Sequence, residues 1–165
     1  MCRNKSSFVL SIDFTIFGNG MMQTKTQISF HFLIPFKLPQ RKKLKLFLHS
    51  LFQEESYKLT DLSYVFCDDD YLLDLNRRFL KHDYYTDILS FPGSKSKDNK
   101  VSGEIYISVE RVRENAKVHN SSFREEIHRV IFHGALHLCH YKDKTRKEQA
   151  RMRRKEDDCL IRYFK

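Results

Sequence analysis

Along most of the chain, apolar side chains recur at one of two periods, and the period switches where prolines or acidic residues interrupt it. Gln27 to Ile34 (QISFHFLI) places Ile28, Phe30, Phe32 and Ile34 on one side of an extended chain and Ser29 and His31 on the other. That alternation predicts a half-buried strand, which Pro35 and Pro39 end. In RKKLKLFLHSLFQEE, Leu44, Phe47, Leu48, Leu51 and Phe52 fall at helical spacing with lysines opposite, the pattern of an amphipathic helix. KLTDLSYVFC returns to alternation through Leu62, Tyr64 and Phe66. DDDYLLDLNRRFL opens on aspartates suited to a helix start and continues with Leu72, Leu75 and Phe79 as its apolar positions.

The second half repeats the two patterns. TDILSFP, stopped by Pro92, and SGEIYISV, with Ile105, Ile107 and Val109 alternating, predict two strands separated by the polar loop SKSKDNK. ERVRENAKVH reads as a short helix. FREEIHRVIFHGALHLC is the most strongly amphipathic stretch, through Phe123, Ile127, Val130, Ile131 and Leu138. Thr145 to Glu148 (T-R-K-E) forms a capping box that opens a last helix with Met152, Cys159, Leu160 and Tyr163 inward. The order predicts an α+β domain: a small mixed β-sheet and about five packed helices, in a single unit.

At 165 residues the chain suffices for one domain with its own core. Met21 and Met22 directly precede the first strand, so residues 1–20 read as an N-terminal extension and 21–165 as the domain. Mass spectrometry of the native N-terminus checks that division. Cys2, Cys67, Cys139 and Cys159 are scattered without a C-x-x-C pair, which speaks against a disulfide frame or a cysteine zinc knuckle and for a reducing, cytoplasmic setting. No apolar run reaches the roughly 18 residues of a membrane span. Lys and Arg exceed Asp and Glu, 30 against 21, for a formal charge of +9. Such a surplus attracts phosphate-rich partners, and equally suits a merely soluble basic protein.

One segment carries chemistry. In HGALHLCHYKDK (133–144), His133 and His137 stand one turn apart on one side of a helix, so both imidazoles can reach one ion. Taken alone, such a pair is more often two ordinary flank histidines; its setting, with further donors following at once, changes that. Gly134 follows the first histidine, where the H-E-x-x-H proteases carry their general base, and lets a backbone pass close beside it. For the third ligand, His140 would share the histidine face if the helix continued past Cys139, and Asp143 would point back if it ended. The capping box at Thr145 requires a new helix start, so the chain must leave the first helix between about 139 and 144. That favours Asp143. Two imidazoles and a carboxylate leave a position open for water, the catalytic arrangement for zinc, which brings that water's pKa to about 7.

At these residues the chain resembles the YbeY endoribonucleases, or rRNA maturation factors, whose hallmark is H-G-x-L-H-L-x-G-Y-x-H. His133 and His137 match its first two ligands, and Asp143 falls on the third histidine, a substitution found in a branch of the family. LNRRFLKHDYYTDILSFP and SGEIYIS are similar to two upstream family segments, and Met152 and Glu156 also fit; the resemblance spans about residues 26 to 160. It implies one zinc ion on His133, His137 and Asp143. It also implies a single-strand-specific endoribonuclease acting on ribosomal RNA, at the 3′ end of the small-subunit RNA, with the small ribosomal subunit as partner.

Two departures stand out. The family's basic residue falls on Leu80, so its role passes to Arg77, Arg78, Lys81 or His82, or is absent. His140 stands where the family has a glycine, a place that calls for the left-handed conformation histidine adopts only with strain. No catalytic group beyond a water on the ion is assigned; Asp87, Ser90 and Glu104 are candidates, with ordinary roles as a cap, a strand hydroxyl and a surface charge set against each. The alternatives are a non-catalytic zinc-containing RNA- or ribosome-binding factor and a metallohydrolase of small molecules or peptides.

Overall fold

Alternation along the strands decides which side of the sheet each helix can cover. The computed structural model describes residues 27–93 and 98–165; the expected extension, 1–20, lies outside them. In chain order the elements are β1 (Gln27–Phe32), α1 (Arg41–Glu54), β2 (Lys58–Cys67), α2 (Asp69–Leu75), β3 (Ile88–Pro92), β4 (Lys100–Ser108), α3 (Val109–Val118), α4 (Phe123–Leu138) and α5 (Arg146–Phe164), with one π-helical turn, Asn76–Leu80, continuing α2. The strands lie in the order β1-β2-β4-β3. β1 and β4 run parallel to β2, and β3 runs antiparallel to β4, so the sheet is mixed, as expected.

One face of the sheet presents Ile28, Leu62, Tyr64, Phe66, Ile105 and Ile107 to the apolar stripes of α1, α4 and α5, and this is the main core. Residues of opposite parity form a smaller cluster on the other face, where Cys67 and Leu89 pack against Leu72 and Leu75 of α2. α4 is the central helix: Ile131, Phe132, Ala135 and Leu136 are all fully buried. The three described cysteines are buried and reduced, and burial raises each thiol to about 12, so they serve as small apolar fillers. No helix among the described residues is long and apolar enough to cross a membrane.

Local chemistry sets the helix ends. Asp68, Ser108 and Ser122 accept the backbone N–H groups of Tyr71, Arg111 and Glu125 at the starts of α2, α3 and α4. At α5 the capping box forms as expected, with the Thr145 N–H donating to Glu148 at 2.9 Å and Glu148 N–H to the Thr145 hydroxyl at 3.2 Å. At the other ends, α1, α3 and α4 close on left-handed Ser56, Asn120 and His140 rather than on glycine.

Three expectations are revised. β1 ends at Phe32 rather than Ile34, because the chain bends after Leu33 donates to the Phe66 carbonyl at 2.9 Å. The α2 helix widens into the π turn at Asn76, which breaks the 3.6-residue period; Phe79 is consequently 60% exposed. Gly134 makes room for side chains rather than a passing backbone. A Cβ there would lie 2.8 Å from Cδ1 of Ile88 and 2.9 Å from Cγ2 of Ile105.

Ile105 is fully buried and its Cγ2 branches from Cβ, so it has little freedom to retreat. The overlap outweighs alanine's better helix propensity: Gly134→Ala should lower stability by about 1–3 kcal/mol, and Gly134→Val by more. Urea unfolding checks this; an unchanged midpoint for the alanine variant would show that α4 is not seated as tightly as described.

Candidate metal centre

α4 must stop soon after His137 for a residue ten positions beyond His133 to come back beside it. Its last turn closes with Cys139 as C-cap and His140 at φ 64°. The His140 N–H donates to the His137 carbonyl at 2.9 Å and the Tyr141 N–H to the Leu136 carbonyl at 3.0 Å. This pair of bonds is the Schellman motif, which reverses the chain away from the helix axis. His140 therefore occupies the left-handed position that the family resemblance implied for it. Its exposed ring meets the edge of Tyr57 at 5.6 Å between centroids.

The reversal brings Asp143 to the two histidines. Ligand-capable atoms of His133, His137 and Asp143 all lie within 4.8 Å of one another. The Nε2 atoms are 2.8 Å apart, and Asp143 Oδ2 stands 3.7 Å from that of His133 and 3.4 Å from that of His137. His137 Nδ1 lies 2.9 Å from the Tyr141 carbonyl, which can only accept, so Nδ1 carries the proton. His133 Nδ1 lies 2.7 Å from Glu156 Oε1. Burial works against charge on Glu156, but the bond to His133 and the nearby Arg129 and Arg153 hold its carboxyl below the usual range, so it too accepts. Both rings thus donate through Nδ1 and turn their Nε2 lone pairs toward each other and toward a carboxylate oxygen.

Three electron-pair donors in one place call for a cation. Without a metal, a proton has to serve. Burial opposes charge on His133, yet Glu156, Asp87 and Asp143 together raise its pKa, whereas burial and the charge on His133 lower that of His137. A metal fits better. Atoms at those three separations lie on a circle of about 1.9 Å radius, close to the roughly 2.0–2.2 Å of zinc–nitrogen and zinc–carboxylate bonds.

The donors open into a groove of about 570 Å³ walled by β3 (Ile88, Leu89, Ser90, Pro92), by Leu80, Thr86 and Asp87, and by Leu138, His140 and Lys144. Asp87 accepts from the Asn115 amide at 3.1 Å, and burial raises its pKa, partly offset by His133 and Asn115. The Ser90 hydroxyl is buried and has no hydrogen-bond partner among the described residues. Glu104 is not brought to the groove. It alternates with Ile105 on β4 and so faces the other side of the sheet, where it accepts from the Tyr106 hydroxyl at 2.9 Å.

The expected RNA-contacting cations also stand apart. Arg77 pairs with Asp83 at 2.6 Å, Arg78 with Asp74 at 3.1 Å, Lys81 reaches the Arg78 carbonyl at 3.4 Å, and His82 bonds Tyr84. None of the four lines the groove, although Leu80 does. Lys144 is the one Lys or Arg among the described lining residues.

A family model described as Endoribonuclease YbeY matches residues 36–163. This chain belongs to the YbeY family. Endoribonuclease YbeY of Cytophaga hutchinsonii is 48% identical over 130 residues, covering 78% of this chain and 90% of that protein. The Christiangramia forsetii protein of the same name is 43% identical over 139 residues, covering 84% and 96%. The solution structure of TM1509 from Thermotoga maritima superposes with a TM-score of 0.53 at 26% identity, over 84% of this chain and 89% of that one.

Two site residues escaped the reading from residue spacing. Glu156 fitted the YbeY pattern without a role and proves to hold the His133 ring; Lys144 supplies the groove's cation. Glu156 lies 23 residues from its partner on another helix, so no local spacing signals it. Lys144 follows directly after Asp143 and could have been found from that adjacency.

With zinc added as the probe ion, Asp143→Ala should lose it on dialysis while His140→Ala retains it, as measured by metal analysis; the reverse result overturns the ligand set. His140→Gly should retain zinc and gain about 1 kcal/mol by relieving the left-handed residue. Glu156→Gln should weaken zinc binding by about 10- to 100-fold in chelator competition. Because a metal must displace the proton that His133 holds, and that proton is held above the ordinary imidazole pKa, affinity should fall as pH drops past it, with a slope approaching about tenfold per unit.

Proposed function

We propose that this chain is a zinc-dependent, single-strand-specific endoribonuclease that hydrolyses RNA phosphodiesters. It would act in the cytoplasm in ribosomal RNA processing, at the 3′ end of the small-subunit RNA, with the small ribosomal subunit as partner. The observation that carries this reading is the convergence of His133, His137 and Asp143 at the floor of an open groove in a YbeY-family chain. The charge surplus of +9 suits a polyanionic substrate.

The residues present define what the groove can do. His133, His137 and Asp143 would hold the ion. Zinc, when bound, supplies Lewis acidity toward a phosphodiester oxygen or water. Lys144 stands at the groove to offset charge gathering on the phosphate. Asp87 lines the same wall with a raised pKa, which suits a carboxyl that exchanges a proton with substrate. Peptide hydrolysis of the H-E-x-x-H kind is disfavoured, because the position of its glutamate is Gly134, packed against Ile88 and Ile105.

A second reading, a non-catalytic zinc-containing RNA-binding factor, is favoured by one observation: Leu80 lines the groove where the family resemblance places a basic residue, and Arg77 and Arg78 are engaged elsewhere.

Zinc-loaded protein should cleave a single-stranded fragment carrying the small-subunit RNA 3′ end. His137→Ala should be slower by roughly 100-fold or more. Equal cleavage by both proteins would eliminate metal catalysis, and tight RNA binding without cleavage would favour the second reading.

A further inference from the structure

The segment between Leu80 and Thr86 begins and ends on the groove wall. It therefore keeps residues 81–85 within three peptide units of the wall, a reach of about 10 Å. Unusually for a surface loop, it displays aromatic rings. Tyr84 and Tyr85 are 57% and 50% exposed. The His82 and Tyr84 rings are stacked at 5.2 Å and 21°, and the Tyr84 hydroxyl lies 3.1 Å from His82 Nδ1. Tyr85 has Arg111 over its ring at 5.0 Å.

These rings are held rather than loose. Asn76, almost fully buried, grips the loop at two points. Its carbonyl accepts from the His82 N–H at 3.3 Å, and its side-chain amide donates to the Tyr84 carbonyl at 2.9 Å. Apolar rings fixed in solvent gain nothing for folding, since their exposed area stays exposed. Fixed in advance, they lose little entropy when a flat partner settles on them.

We propose that residues 82–85 form a base-stacking lip, with the His82–Tyr84 pair as its platform, that takes unpaired nucleobases of single-stranded RNA beside the metal groove. This rests on the ribonuclease reading above and extends it. Every base has a π-face, so stacking holds a strand without reading its sequence. Bases in a duplex already stack on each other and cannot use the lip. The lip thus supplies a physical source for single-strand preference. It also explains how the groove grips substrate with Leu80 at its rim: the base side is held by rings, and the phosphate side by Lys144. The exposed pairs of Arg77 and Arg78 are weakly held and can turn to phosphates as a strand arrives.

The test is steady-state cleavage by zinc-loaded protein of a single-stranded oligoribonucleotide of about ten nucleotides. The same RNA in a duplex and a version with abasic nucleotides flanking the cleaved bond serve as comparisons. Tyr84→Ala and His82→Ala should each raise KM by about 5- to 100-fold with kcat little changed, and Tyr84→Trp should restore the wild-type KM. Single-strand preference should shrink in the alanine variants, and their defect should vanish on the abasic RNA. Both side chains are exposed, and circular dichroism verifies that the variants fold. Wild-type cleavage with an unchanged KM in both alanine variants overturns the lip and leaves the nuclease reading standing. An equal KM defect on the abasic RNA also overturns it. Failure of the wild-type protein to cleave any of the RNAs removes the ribonuclease reading, and the lip with it.

Discussion

The site depends on where α4 ends. Two imidazoles on successive turns can share a cation, but a third donor from the same chain reaches them only if the backbone leaves the helix axis within the next few residues. The bonds from His140 and Tyr141 back to His137 and Leu136 perform that reversal. The Tyr141 carbonyl, placed by the same turn, then accepts from His137 Nδ1 and fixes its tautomer. One backbone motif ends the helix, returns the carboxylate and orients a ring.

The other ring is fixed from a distance. Glu156 on α5 accepts from His133, and Glu156 is itself held by Arg129 and Arg153. A carboxylate buried between helices is expensive unless its partners neutralise it, and here the partners include an imidazole that must keep its Nε2 lone pair free. The packing of α5 on α4 is therefore coupled to the state of the His133, His137 and Asp143 cluster. On the opposite side, Gly134 lets α4 sit against Ile88 and Ile105, which draws β3 close enough to form the groove wall. The helix supplies two donors and the turn after it the third, and the edge of the sheet supplies one wall of the groove.

The reading along the chain succeeded where the physics is local. Strand and helix periods and the capping box at Thr145 depend on residues a few positions apart, while the left-handed place of His140 came from the glycine the family carries there. The Asp143 choice follows from them, since the stop of one helix and the start of the next leave the chain little freedom. Phe79 failed because the period itself changed at the π turn, and β1 was read two residues long because a bend after Phe32 leaves no trace in apolar spacing. Arg77, Arg78 and Lys81 are basic in composition but bonded outward, and Glu104 lies on the wrong face by a single residue of register.

What the sequence determined by itself is the set of elements, the fold class and the three convergent donors, because hydrophobic period, caps and turn residues act within one or two turns of chain. Only the tertiary structure decided that β4 lies between β2 and β3, that Glu156 reaches His133, and that Lys144 and the loop after Leu80 border one groove. These contacts join segments far apart in the chain. Their positions follow from how whole faces pack against the sheet, a condition no short window of sequence contains.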